Sequence, residues 1–263
     1  MYNFIGFIIS IAFVKFALGH LNVNSGFFVD IVAFLVVFGG TFGVMVISFP
    51  PHFLLRFFSA PLKMIIAKSP NFIQAIESLI KALQDDKDRK HNLRKLSEQK
   101  NSDKFLKEGI ELYLMDMPLK DFKNIMTERI YRSRQREEEN INLFRRLAKY
   151  PPAFGLVGTV LGLISLMRAV GEGANASTIG LNMALALTAT LYGLAFSNFI
   201  LAPIAENFQS AADEKKVFHE LLLEGLLLCY DGSSPLTVQE MLNSYVEPHK
   251  RIDILGINQK ESA

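Results

Sequence analysis

Residues 150–170 read YPPAFGLVGTVLGLISLMRAV. The middle of this stretch is apolar enough to lie in lipid, yet it opens with two prolines and spaces glycines along its length. Proline and glycine are the poorest helix formers in water. A helix written this way is supported by its neighbours and its solvent, and that solvent is predicted to be a bilayer.

The rest of the chain agrees. Half of its 263 residues are hydrophobic, 22 are phenylalanine, and 21% are charged, below the quarter or so usual in soluble domains. A bilayer core of about 30 Å takes about 20 mostly apolar helical residues. Four stretches meet this, at about 2–19, 29–49, 153–170 and 179–204. The reading is an all-α integral membrane protein with four transmembrane helices. It comprises an N-terminal transmembrane hairpin in 1–50, a large helical domain in 51–149, a second hairpin in 150–205 and a tail in 206–263. MYNFIGFIISIAF has no basic leader and no cleavage site follows it, so no signal peptide is expected.

Orientation follows from the basic residues in the connections. The loops 19–28 and 171–177 carry no lysine or arginine, whereas 50–149 holds most of them and Lys215 and Lys216 follow the fourth span. Both termini and the large segment are expected in the cytoplasm. Within that segment SPNFIQAIESLIKALQ sets Phe72, Ile73, Ile76, Leu79, Ile80 and Leu83 on one stripe. Residues 121–146 continue in amphipathic style behind Pro118, and VFHELLLEGLLLCY reads as a short apolar helix ending at Asp231-Gly232. These faces imply a bundle that packs on itself.

Other classes are disfavoured. The net charge of +2 gives no basic surface for nucleic acid. One cysteine, Cys229, and five scattered histidines give no metal site and no thiol chemistry. No cofactor and no enzymatic activity are expected.

In lipid, helices associate through close packing, so small residues mark contact faces. The third span carries Gly155, Gly158, Thr159, Gly162 and Ser165 at three- and four-residue steps, and the fourth carries Ala186, Ala189, Thr190, Gly193 and Ser197. Simple packing explains the glycines. Thr159 and Thr190 add a hydroxyl near the middle of each helix, where an oxygen could face a polar path. Within spans 153–170 and 179–204 the only charged side chain is Arg168, near the outer edge. Ionisable groups inside a membrane usually mark ion sites, so any ion moved here requires a carboxylate from another chain. A structural membrane protein would satisfy the same pattern. Pro152 and Pro203 frame the two helices at the cytoplasmic side as candidate hinges. Asp30 and Lys15 lie toward the outer ends of their spans, as interfacial charges or, for Asp30, as an attractor at an ion entrance.

FVDIVAFLVVFGGTFGVMVISFP, PPAFGLVGTVLGLI and ALALTATLYGLAFSNFILAPIAENF together resemble the second, third and fourth spans of the flagellar stator family of MotA and PomA. The related energisers TolQ and ExbB share the last hairpin but are expected to have three spans. The resemblance implies a stator subunit of the bacterial inner membrane, in a pentameric ring around a MotB/PomB-type single-span partner that supplies the ion-binding aspartate. It implies action on the rotor protein FliG. Pro152 and Pro203 match the family's coupling prolines, and Asp30 its acid, with Val32 where a proline is usual. The family's rotor-contacting stretch aligns with DRKHNLRKLSE, so Arg89 and Lys90 fit, His91 replaces the first acid, and the second falls at Ser97 or Glu98. Members resembling PomA have threonine at the place of Thr159, several proton-type members have alanine, and Thr190 occurs in more than one type. A hard cation gains from such oxygens, so the expected ion is Na+ rather than H+. Two alternatives stay open: a related energiser of gliding or envelope transport, and a non-conducting membrane scaffold.

Overall fold

A computed structural model describes residues 12, 15, 16, 19, 29–66, 69–83, 88–99 and 102–253. The expected first span, about 2–19, lies outside the described residues except at those first four positions, which are helical. Among the described residues there are helices and turns but no strand. The helices are α1 (Ile31–Ser48), α2 (Pro51–Ile66), α3 (Phe72–Leu83), α4 (Arg89–Glu98), α5 (Lys104–Leu114), α6 (Leu119–Leu147), α7 (Tyr150–Gly171), α8 (Ala176–Tyr230) and α9 (Pro235–Asn243). Among the described residues, three helical stretches are long and apolar enough to cross a membrane: α1, α6 with α7, and α8. At about 1.5 Å per residue, the 22 residues of α7 reach about 33 Å, enough for a hydrocarbon core.

The chain divides into two units. The first takes residues 1–66 and 139–209, the second 67–138 and 210–263, and α6 and α8 contribute residues to both. The first unit therefore includes α2 and the end of α6, which the sequence reading assigned to the 51–149 domain. The reason is apolar burial: Met45, Leu143, Phe144, Leu147, Leu201 and Ala205 form one cluster, with Phe53 and Phe57 packed on it. The Phe144 ring lies between those of Phe57 and Phe208, at 5.5 and 5.4 Å.

Two helices of this unit widen into π turns, at Leu35–Gly39 in α1 and Phe196–Leu201 in α8. In α8 the turn precedes Pro203, which has no N–H to offer the Phe199 carbonyl, and a π turn is one way a helix absorbs such a loss. Phe38 and Phe196, one from each π turn, pack with ring centroids 4.6 Å apart.

The second unit is a water-type helical core. Ile76, Leu79, Ile80 and Leu83 of α3 are fully buried against Phe122 and Met126 of α6 and Leu221, Leu222 and Leu226 of α8. Each such side chain contributes about 1.5–3 kcal/mol by leaving water. Ile73, expected on the same stripe, is 37% exposed. The apolar run VFHELLLEGLLLCY is no separate helix; with no breaker after Pro203, the helix continues to Tyr230. It stops where Gly232 takes φ +67, a value glycine adopts without strain.

Candidate functional site

Among the described residues of the first unit, the most extensive helix–helix interface is the seam between α7 and the first half of α8. Gly155, Gly158 and Gly162 are buried on α7, and Ala186, Ala189 and Gly193 on α8. The fit leaves no room for a side chain. A Cβ on Gly155 would stand 3.0 Å from the Ala189 carbonyl oxygen, and one on Gly162 2.7 Å from Ala186 Cβ. On Gly158 it would overlap Ala189 Cβ, and on Gly193 the Pro151 carbonyl oxygen. In α1, Gly40 is closed off by the Phe154 ring, whereas Gly39 and Gly43 face open space. Large apolar side chains point away from the seam: Leu156, Leu161, Ile164 and Met167 on α7, Leu181, Leu187 and Leu191 on α8.

The seam brings Thr159 and Thr190 together. Their hydroxyls are hydrogen-bonded to each other. Thr159 Oγ1 also lies 3.1 Å from both the Gly155 and Ala186 carbonyl oxygens, and Thr190 Oγ1 3.4 Å from that of Gly155. Each hydroxyl has one proton, and backbone oxygens stand ready to accept it, so lone-pair capacity remains on both threonine oxygens. Midway along two apolar helices there are thus four clustered oxygens, none of them a carboxylate. Two further polar contacts flank this cluster and were not read from the sequence. Toward the loop that joins α7 to α8, Ser165 Oγ donates to Asn182 Oδ1 at 3.0 Å. Toward the break between α6 and α7, Ser197 Oγ donates to the Ala148 carbonyl at 2.5 Å. Ser165 and Ser197 belong to the small-residue stripes, and their hydroxyls were the available signal.

Asp30 is the N-cap of α1, its Oδ1 accepting the Ala33 N–H at 2.9 Å. Its own N–H donates to the Tyr192 hydroxyl of α8 at 3.2 Å. The structure does not bring Asp30 into the Thr159–Thr190 cluster. Pro152 lies in the first turn of α7, directly after the interruption at Ala148 and Lys149, and Pro203 lies directly after the π turn of α8.

In the second unit Arg89 and Lys90 open α4 and the exposed Glu98 ends it. Arg89 Nη1 donates to the Cys229 carbonyl near the end of α8, at 3.3 Å. Lys90 Nζ pairs with Asp116 at 2.5 Å on the surface, and that carboxylate raises its pKa above the ordinary lysine value. Asp116 holds φ +54 in the turn after α5. Cys229 is buried, and burial pushes its thiol up to about 12, so it is an inert core group.

Residues 97–220 match the model of the MotA/TolQ/ExbB proton channel family. The chemotaxis protein PomA of Vibrio alginolyticus is 28% identical over 250 residues, covering 94% of this chain and 95% of PomA. Motility protein A of Treponema phagedenis is 26% identical over 255 residues, covering 96% of each. The solved flagellar MotAB stator complex of Bacillus subtilis shares the fold, with a TM-score of 0.86 at 22% identity over 97% of this chain and 100% of that one. In its all-helical fold, its apolar spans and its glycine-tight seam, and in relatives that match it nearly from end to end, the chain resembles the MotA/TolQ/ExbB proton channel family.

Proposed function

We propose that the chain is a stator subunit of a bacterial flagellar motor, coupling ion influx to torque. It sits in the inner membrane with four spans and cytoplasmic termini. Five copies ring a MotB/PomB-type partner whose single helix carries the ion-binding aspartate, and the ring acts on the rotor protein FliG. The observation that carries this reading is the seam. It offers hydroxyl and carbonyl oxygens at Thr159 and Thr190 but no carboxylate, which suits a wall past which another chain's acid passes an ion.

The ion is sodium. Oxygen ligands substitute for part of a sodium ion's hydration, whereas proton transfer to a carboxylate requires no neighbouring hydroxyl. Pro152 and Pro203 serve as hinges between ion passage and the cytoplasmic helices, Asp30 attracts cations toward the path, and Arg89, Lys90 and Glu98 present charge to the rotor.

Swimming speed measured against sodium at fixed pH, with a proton uncoupler as control, tests the reading. Speed should rise with sodium and survive the uncoupler at high sodium, and Thr159→Ala should need more sodium at equal protein level. Equal speed at low and high sodium overturns the choice of ion. Unchanged swimming after deletion of the chain, where the wild-type complex does take up ions, points to a non-flagellar machine of the same kind.

A further inference from the structure

The turn that begins α7 carries two consecutive prolines, and their effect on the preceding residues is specific. In an unbroken helix the Ala148 carbonyl would accept the N–H of residue 152, and the Leu147 carbonyl that of residue 151. Both positions are proline, so neither N–H exists. Helix α6 accordingly ends at Leu147 and α7 begins at Tyr150.

The Ala148 carbonyl nevertheless has a donor. Ser197, 5% exposed on α8, gives it its hydroxyl proton at 2.5 Å. One helical turn earlier on the same face, Gly193 leaves the space into which the Pro151 carbonyl fits. Ser197 itself lies in the π turn Phe196–Leu201, and its own carbonyl accepts the N–H of Ala202, immediately before Pro203. One hydroxyl therefore joins the break between α6 and α7 to the π turn of α8, the two places marked by proline.

We infer that Ser197 is the positioning residue of this hinge, holding the α6–α7 break in one geometry by taking the carbonyl that Pro152 frees. The hydroxyl has a single proton, so the bond is made or broken rather than shared. A rotation of α7 about the break must release it, and the released carbonyl has no N–H in its own helix to return to. The inference rests on the ion-driven reading above for its consequence, which is that Ser197 governs how ion passage becomes motion, and not ion passage itself.

The test uses the full chain expressed with its single-span partner. Ser197→Ala is expected to cut swimming speed about fivefold, the population change that one buried hydrogen bond commands, with ion uptake per complex within about twofold of wild type. Ser197→Thr, which keeps the donor, is expected to restore speed. Unchanged speed overturns the inference, as does a parallel fall of speed and uptake. Hydrogen exchange in the purified complex decides the geometry independently of function. Ser197→Ala should speed exchange across residues 149–156 several-fold in the native sequence but not on top of Pro152→Ala, which returns an N–H to the Ala148 carbonyl. Equal acceleration in both backgrounds overturns the inference. A wild-type complex that neither takes up ions nor drives swimming refutes the functional reading alone, and the exchange result still stands.

Discussion

The α7/α8 seam and the core of the second unit are both packings of helix on helix, but their side chains are inverted. In the core, Ile76, Leu79, Phe122, Met126 and Leu226 fill the interior while ion pairs such as Arg129–Glu108 and Lys215–Glu137 stand outside. In the seam the interior holds glycine, alanine and hydroxyls, and the leucines point outward. Water rewards the first arrangement by expelling large apolar groups. Lipid gives no such reward, because a leucine is as well solvated by acyl chains as by protein, and cohesion comes from close approach and hydrogen bonds.

The same truncation should therefore read differently in the two regions. Leu79→Ala removes a side chain with no exposed surface and is expected to cost about 2–5 kcal/mol. The readout is a lower melting temperature and earlier proteolysis within residues 72–138 of the full chain in detergent. Leu187→Ala, at a position 62% exposed on α8, should leave both nearly unchanged. Comparable losses from the two would break the contrast between a water-driven core and a contact-driven seam.

Glycine sharpens it from the opposite side. Gly193→Ala drives a methyl onto the Pro151 carbonyl, part of a backbone that cannot move without opening the seam. Overpacking of this kind costs about 1–3 kcal/mol, expected as reduced recovery of the assembled complex from membranes. Gly225→Ala in the core meets the Leu79 Cδ1 methyl at 2.8 Å. A flexible side-chain end can turn aside, and alanine recovers up to about 1 kcal/mol of helix propensity. The variant should melt at or near the wild-type temperature.

Much of this was legible in the sequence because periodicity reports which face of a helix is covered. The α3 stripe was readable, and so were the glycines at three- and four-residue steps. Periodicity says nothing about which atom on a distant element meets that face. Asp30 reads from sequence as an interfacial acid; its N-cap bond to Ala33 is local, but the hydroxyl that takes its backbone N–H, that of Tyr192, is 162 residues away. Ser197 looked like one more small residue, because the carbonyl it serves is 49 residues distant and becomes available only through Pro152. Of the two π turns only that of α8 has a mark in the sequence, Pro203, and α8 runs on through the expected end of its span because that proline falls in the first turn of the stretch Ala202–Tyr230.

The smallest predicted effect separates the regions by pH. His219 is buried in the second unit, stacked on Phe105 at 4.5 Å, with Nε2 3.7 Å from Asp103 Oδ1. Burial pushes its pKa down, Asp103 pulls it up, Lys215 pushes it down again, and the net shift is downward. Arg134, Glu137 and Lys216 line the same small hollow. In the unfolded chain the ring titrates near pH 6.5. Above that value neither state binds the proton and folding gains nothing from it. As pH falls below it the unfolded chain takes up a proton that the folded ring resists, so stability declines until the folded value is passed. His219→Phe keeps the stack on Phe105 and removes the titration. Melting temperature from pH 8 to pH 5.5 should fall further for wild type than for the variant. Parallel declines would place the acid sensitivity elsewhere in the unit. The hydrogen bonds of the seam run from serine and threonine hydroxyls to hydroxyl, carbonyl or amide oxygens, none of which titrates in this range, so the effect of Gly193→Ala on complex recovery should be the same at both pH values.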